Sequence, residues 1–189
     1  MNASALRARN LVLIGPMGAG KTSIGRRLAQ ALGMDFVDLD QSLEQRTGAS
    51  VNLIFEIEGE PGFRRREREA LARLCAGSGQ VIATGGGAVL DPANRDALSR
   101  AGLVVWLRTS VAQQLRRLQR DRTRPLLATP DRDERLKEMA RQRDPIYAAL
   151  ADLVVDTGGL AVEQSCERVL EALRAHSGVT GQPVVPDAG

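Results

Sequence analysis

Apolar positions along this chain follow two alternating rhythms. Short apolar runs at residues 10–14, 35–39, 81–84, 103–107 and 153–155 read as β-strands, the first and third buried. Between them the rhythm stretches to a helical period. Ile24, Leu28 and Leu32 recur at every fourth position after Lys21, and Gly33 stops the run, so the spacing predicts a helix there. Further helices are predicted over 41–47 (closed by Gly48), 51–57, 62–76, 92–100 (ended by Gly102), 111–120 and 133–150. The last, 162–173, carries Cys166, Val169, Leu170 and Leu173 on one stripe. Residues 121–133 hold Arg122, Arg124, Arg132 and two prolines with little periodicity, which predicts a mobile loop. Residues 177–189 hold three glycines and two prolines without a period and are expected to form a disordered tail.

Strand–helix alternation predicts an α/β fold: a mostly parallel five-stranded sheet with helices on both faces. One domain is expected over residues 1–176. In such sheets ligands bind beyond the carboxyl ends of the strands, so site residues should stand just after strands.

Composition narrows the chemistry. Hydrophobic residues make up 43% and charged residues 26% of 189, a soluble globular balance. No apolar run is long enough to cross a bilayer, and the first nine residues lack the apolar core of a signal peptide, so a cytoplasmic protein is expected, with no membrane partner. Cys75 and Cys166 are expected to be buried free thiols. His176 is the only histidine, which leaves little for a zinc site and removes the usual histidine-based catalytic groupings. The net charge of +3 comes from arginine, since only Lys21 and Lys137 are lysines. With aromatics at 3% and arginines interleaved with acids, nucleic acid is not an expected partner. Arg64-Arg65-Arg66, followed by Glu67, Arg68 and Glu69, reads as a solvated helix face with internal pairs.

The strongest motif is Gly15-Pro16-Met17-Gly18-Ala19-Gly20-Lys21-Thr22, a complete G-x-x-x-x-G-K-[ST] phosphate loop with a strand before it and a helix after. The glycines let the backbone wrap a phosphate, and the helix adds the positive end of its dipole. Lys21 can reach the β- and γ-phosphates, and a hydroxyl of Thr22 or its neighbour Ser23 can ligate Mg²⁺. Asp38-Leu39-Asp40 ends the second strand. One carboxylate can hold the Mg²⁺ shell while the other orients or deprotonates an attacking hydroxyl; alternatively, Asp40 caps the helix that follows. Gly85-Gly86-Gly87 follows the third strand and exposes backbone N–H groups to close approach by a ligand, or forms a plain tight turn. Arg64 and Arg143 stand near the ends of predicted elements, where single arginines usually face solvent. Arg124, in the loop, is placed to swing over a γ-phosphate.

Together these motifs resemble the shikimate kinase family, over residues from about 10 to 173. The matching pieces are the phosphate loop, Asp38-Leu39-Asp40, Gly62-Phe63-Arg64 with Glu67, the triple glycine, Arg124-Pro125-Leu126-Leu127, and Arg143-Asp144-Pro145-Ile146-Tyr147. The resemblance implies the P-loop kinase fold, a helical substrate part over 40–76, a lid over 116–130, and transfer of the ATP γ-phosphoryl group to shikimate, giving shikimate 3-phosphate and ADP. By it, Asp40, Arg64, Gly86 and Arg143 hold the acid substrate, the two arginines on its carboxylate. Thr22 and Asp38 serve Mg²⁺, and Lys21, Asp40 and Arg124 carry catalysis. Gly18, Ala19, Gly20, Lys21, Thr22, Ser23, Arg120 and Arg124 bind ATP, with Arg120 or Arg117 against the adenine. A monomer is expected. Another kinase of small anionic metabolites, such as a gluconate kinase, and a regulatory ATP-binding protein are the competing readings; the latter has no need of substrate-side arginines. A GTPase would need an Asn-Lys pair to read guanine, and the chain has none.

Overall fold

The computed structural model describes residues 9–119 and 131–179, with side chains to 176. The strands are β1 (Asn10–Ile14), β2 (Asp35–Asp38), β3 (Gln80–Ala83), β4 (Gly102–Arg108) and β5 (Leu153–Asp156). All pair in parallel in the order β2-β3-β1-β4-β5, as the alternation requires. β1 is therefore the central strand, and the loop that leaves it opens at the middle of the sheet's carboxyl edge.

The period-2 alternation of β1 and β4 divides the core. Leu11, Leu13, Leu103, Val105 and Leu107 face α1 (Lys21–Leu32) and the C-terminal helix, against Ile24, Leu28 and Val169. Val12, Ile14, Val104 and Trp106 face the other way, onto α2 (Leu39–Thr47), α3 (Val51–Cys75), α4 (Pro92–Ala101) and α6 (Arg132–Leu150). α5 (Val111–Leu118) and α6 close a smaller cluster on Met17, with Leu118 and Leu136 buried around it.

Several boundaries differ from the sequence reading. β2 stops at Asp38 because α2 begins at Leu39, and the cap is Asp38, whose Oδ1 accepts from the N–H groups of Asp40 (3.1 Å) and Gln41 (3.3 Å). Asp40 therefore sits in the first turn rather than at the cap. The two helices expected over 51–57 and 62–76 run on as α3, kinked at Gly59 (φ 66°, ψ −177°) just ahead of Pro61. α7 (Val162–Val179) continues past residue 173 into the stretch expected to be a tail. A 3₁₀ turn, Ala88–Leu90, follows the triple glycine and went unpredicted. Among the described residues no helix is long and apolar enough to cross a membrane, and Cys75 and Cys166 are unbonded.

Candidate active site

The loop between β1 and α1 coils through Gly18 (φ 76°) and Gly20 (φ 92°), left-handed positions that a side chain would strain. Gly20 stands at the N-cap of α1 with no side chain to cap it, which leaves the first-turn N–H groups to a ligand. The Lys21 ammonium donates to the carbonyls of Gly15 (2.7 Å) and Pro16 (2.8 Å), folded over the loop it belongs to. Ala19 is fully buried, and its N–H donates to the Pro16 carbonyl at 3.2 Å. A cleft of about 150 Å³ opens over this loop, with Thr22, Ser23, Asp38 and Thr84 in its walls.

Asp38 divides its carboxylate between two tasks. Oδ1 caps α2, while Oδ2 accepts a hydrogen bond from the Thr22 hydroxyl at 2.7 Å. Starting α2 at Leu39 turns Asp40 to a different place, where cleft and cavity meet. Beside this cleft lies a cavity of about 340 Å³ walled by Phe55, Phe63, Arg64, Glu67, Arg143 and the triple glycine. Asp40, Gly85 and Gly86 line both spaces. The stacked rings of Phe55 and Phe63, 4.5 Å apart, form its apolar wall. A separate hollow of about 360 Å³ between α2 and α3 is lined by none of the motif residues.

The cavity is built around guanidinium groups. Arg64 lies inside α3, not near an element end, and its side chain is only 20% exposed. It pairs with Glu67 at 2.8 Å and Glu60 at 2.9 Å. The neighbouring arginines of the run do face outward, Arg66 onto Glu58 and Arg68 onto Asp91. The solvated face foreseen for this run thus excludes Arg64. Burial works against its charge, but Glu67 and Glu60 outweigh burial and raise its pKa. Gly87 lets the guanidinium in: a Cβ there would lie 2.5 Å from Arg64 Nη2. Arg143 lies within α6 and is buried at 6% exposure, its Nε without a hydrogen-bond partner. Burial, with help from the nearby Arg64 charge, lowers its pKa. Glu67 is almost wholly buried, and its Oε1 has no hydrogen-bond partner. Burial raises its pKa against the pull of Arg64, and the carboxylate of Asp40 adds to the rise.

The structure thus gathers Lys21, Thr22, Ser23, Asp38, Asp40, Arg64, Gly86 and Arg143 around two adjoining spaces at the carboxyl edge of the sheet. Arg120, Arg124 and most of the expected lid lie outside the described residues. Arg117 donates to the carbonyls of Gly18 (2.9 Å) and Thr157 (2.8 Å), which ties α5 to the phosphate loop and to the turn after β5.

A family model described as shikimate kinase matches residues 17–174. The chain belongs to the shikimate kinase family. A shikimate kinase of Stenotrophomonas maltophilia is 61% identical over 150 residues, 79% of this chain and 83% of that protein. One from Methylococcus capsulatus is 54% identical over 164 residues, 87% and 92% of the two chains. Among solved structures, a shikimate kinase from Acinetobacter baumannii in complex with shikimate superposes with a TM-score of 0.88 at 40% identity, covering 93% of this chain and 98% of that one. A gluconokinase from Sinorhizobium meliloti, at TM-score 0.62 and 18% identity over 92% and 95% of the chains, shares the fold.

Within this shikimate kinase family member, sequence reasoning left Glu67 and Tyr147 outside the site, naming them only as parts of the motifs that matched. Each carried a signal. Glu67 stands at i,i+3 from Arg64 and Tyr147 at i,i+4 from Arg143, spacings that put both partners on one helix face. Phe55, Phe63 and Met17 also line the cavity, and in the sequence they are indistinguishable from core residues.

Proposed function

We propose that this chain phosphorylates shikimate with ATP, the activity for which its family is named, and that its residues divide the work as follows. The backbone of the phosphate loop and the Lys21 ammonium hold the β- and γ-phosphates. Arg64 and Arg143 take the acceptor's carboxylate, for which the buried Arg143 has an unpartnered donor. Gly86 borders the same acceptor, and Asp40 anchors the reacting hydroxyl and receives its proton as the oxygen attacks the γ-phosphorus and the bond to ADP breaks. Arg124 is assigned to the transferred phosphoryl group and Arg120 or Arg117 to the adenine, on the family resemblance.

A hydroxyl and a carboxylate, those of Thr22 and Asp38, fit Mg²⁺, which is usually bound by few protein oxygens together with phosphates and water. When bound, Mg²⁺ would neutralise charge developing on the phosphates. The observation that carries the reading is that Asp40, Gly85 and Gly86 border both the phosphate cleft and the arginine-walled cavity. A hydroxyl at that junction meets a carboxylate on one side and a bound phosphate on the other.

Free thiols suit a cytoplasmic setting, and a small arginine-walled cavity suits a monomer acting on a small acid rather than on nucleic acid or membranes. The deciding experiment couples ADP release to shikimate, and compares shikimate with its amide, in which the carboxylate is masked. The acid should be turned over and the amide used poorly. Arg64→Ala or Arg143→Ala should raise the acceptor KM roughly 10- to 150-fold, and lysine should rescue neither fully because it lacks the planar fork. Equal use of acid and amide by the unaltered protein would overturn the assignment.

A further inference from the structure

Tyr147 is the largest of the fully buried side chains, at 0% exposure, and it carries a hydroxyl into the interior. That hydroxyl donates to the Gly86 carbonyl at 2.5 Å, a contact that spans 61 residues of sequence. Its ring leans on Trp106 of β4, centroids 5.6 Å apart at 32°. One turn earlier on α6 stands Arg143, whose charge reaches the phenol and works against the effect of burial. Burial nonetheless wins and raises the phenol's pKa, so the group remains a donor at any working pH.

The consequence lies in the peptide that Tyr147 grips. In a trans peptide the carbonyl and the next N–H point in opposite directions. With the Gly86 carbonyl drawn toward α6, the Gly87 N–H is turned away from α6. Gly86 and Gly87 both wall the acceptor cavity. Glycine is the residue least able to hold one backbone orientation unaided, and three stand in a row here. An outside anchor is therefore needed if the loop is to meet a ligand without first paying ordering entropy.

The geometry points to Tyr147 as a positioning residue: its hydroxyl sets the orientation of the Gly86–Gly87 peptide and joins the glycine loop to the helix turn that carries Arg143. The arginine and the loop then form one preorganised surface for the acceptor. Gly86 also packs against the phosphate-loop backbone at Gly15 and Met17, but that loop's own hydrogen bonds, from the Ala19 N–H and the Lys21 ammonium, do not involve Tyr147. This rests on the cavity being the acceptor site.

The test is Tyr147→Phe, which keeps the ring against Trp106 and removes only the hydroxyl. In the ligand-free protein, hydrogen exchange at the Ala88 and Leu90 amides, which donate to the Gly85 and Gly87 carbonyls, should quicken by about tenfold or more, with protection in β1 and β4 unchanged. The KM for shikimate should rise roughly 3- to 10-fold, while that for ATP stays within about twofold. Tyr147→Leu, which removes the ring contact as well, should add a loss of thermal stability that the phenylalanine variant does not show. Unchanged exchange at the Ala88 and Leu90 amides overturns the proposal. So does an acceptor KM that stays put, or one that rises only in step with the ATP KM, the mark of a general packing role. Should the unaltered protein fail to phosphorylate shikimate, the acceptor reading falls by that result, and the exchange rates still decide whether Tyr147 holds the loop.

Discussion

At the scale of single residues, the two aspartates after β2 differ because a helix starts between them. Asp38, at the cap, gives one oxygen to the helix and the other to Thr22. Asp40, in the first turn, meets the arginine-walled cavity instead. Asp40→Asn keeps the size and loses the charge, so kcat should fall by roughly 10²–10⁴ while calorimetric ATP affinity changes little. Collapse of ATP affinity with acceptor binding intact would mean that the two aspartates have exchanged roles. The sequence alone placed both carboxylates next to the phosphate loop. It offered Asp40 as the alternative helix cap, because the two lie within two residues of each other and either side chain can accept from helix-terminal amides, whereas the cap is Asp38.

At the scale of elements, the triple glycine after β3 is the piece on which three helices converge. Arg64 from α3 packs its guanidinium against Gly87, Tyr147 from α6 grips Gly86, and Asp40 from α2 faces Gly85, where a side-chain Cβ would lie 3.4 Å from the aspartate Oδ1. Gly87 has φ −97°, which alanine adopts freely, so Gly87→Ala should fold. Its methyl would displace the end of a flexible side chain rather than backbone. The shikimate KM should therefore rise about tenfold or more as Arg64 is pushed from its place, with a melting temperature within a few degrees of wild type. A steep fall in melting temperature with unchanged KM would show that the loop needs its glycine for the fold and not for the arginine. Sequence pattern showed that the glycines end a strand and admit close approach. It could not show what approaches, since Arg64 comes from a run of arginines whose neighbours face water.

At the scale of the whole molecule, stability should carry the signature of one buried carboxyl. Glu67 has its pKa raised above the ordinary 4.5, chiefly by burial. The native state then holds a proton more tightly than the unfolded chain, so the stabilisation from this group is complete below about pH 4.5 and is lost as pH rises through the folded value. Glu67→Gln removes that titration. Measured by denaturant unfolding, the stability of wild type relative to the variant should decline from about pH 4 to pH 7. A relative stability that grows over that range would mean that the Arg64 pairing outweighs burial. From the sequence alone came the alternation of strand and helix, the wrapping of the phosphate loop on its glycines, and the placing of that loop, Asp38-Leu39-Asp40 and the triple glycine after strands. These follow from local period, turn chemistry and the rule that parallel sheets bind ligands at their carboxyl edge. Only the family resemblance put Arg64 and Arg143 on one group, and only the tertiary structure decided the cavity they share, the burial of Glu67 beside Asp40 and the reach of Tyr147 to Gly86. Those relations join segments about 25 to 80 residues apart, and no local pattern encodes which face of one helix will meet a given loop. Packing settles that, once burying both faces of the sheet has brought α2, α3 and α6 to the same edge.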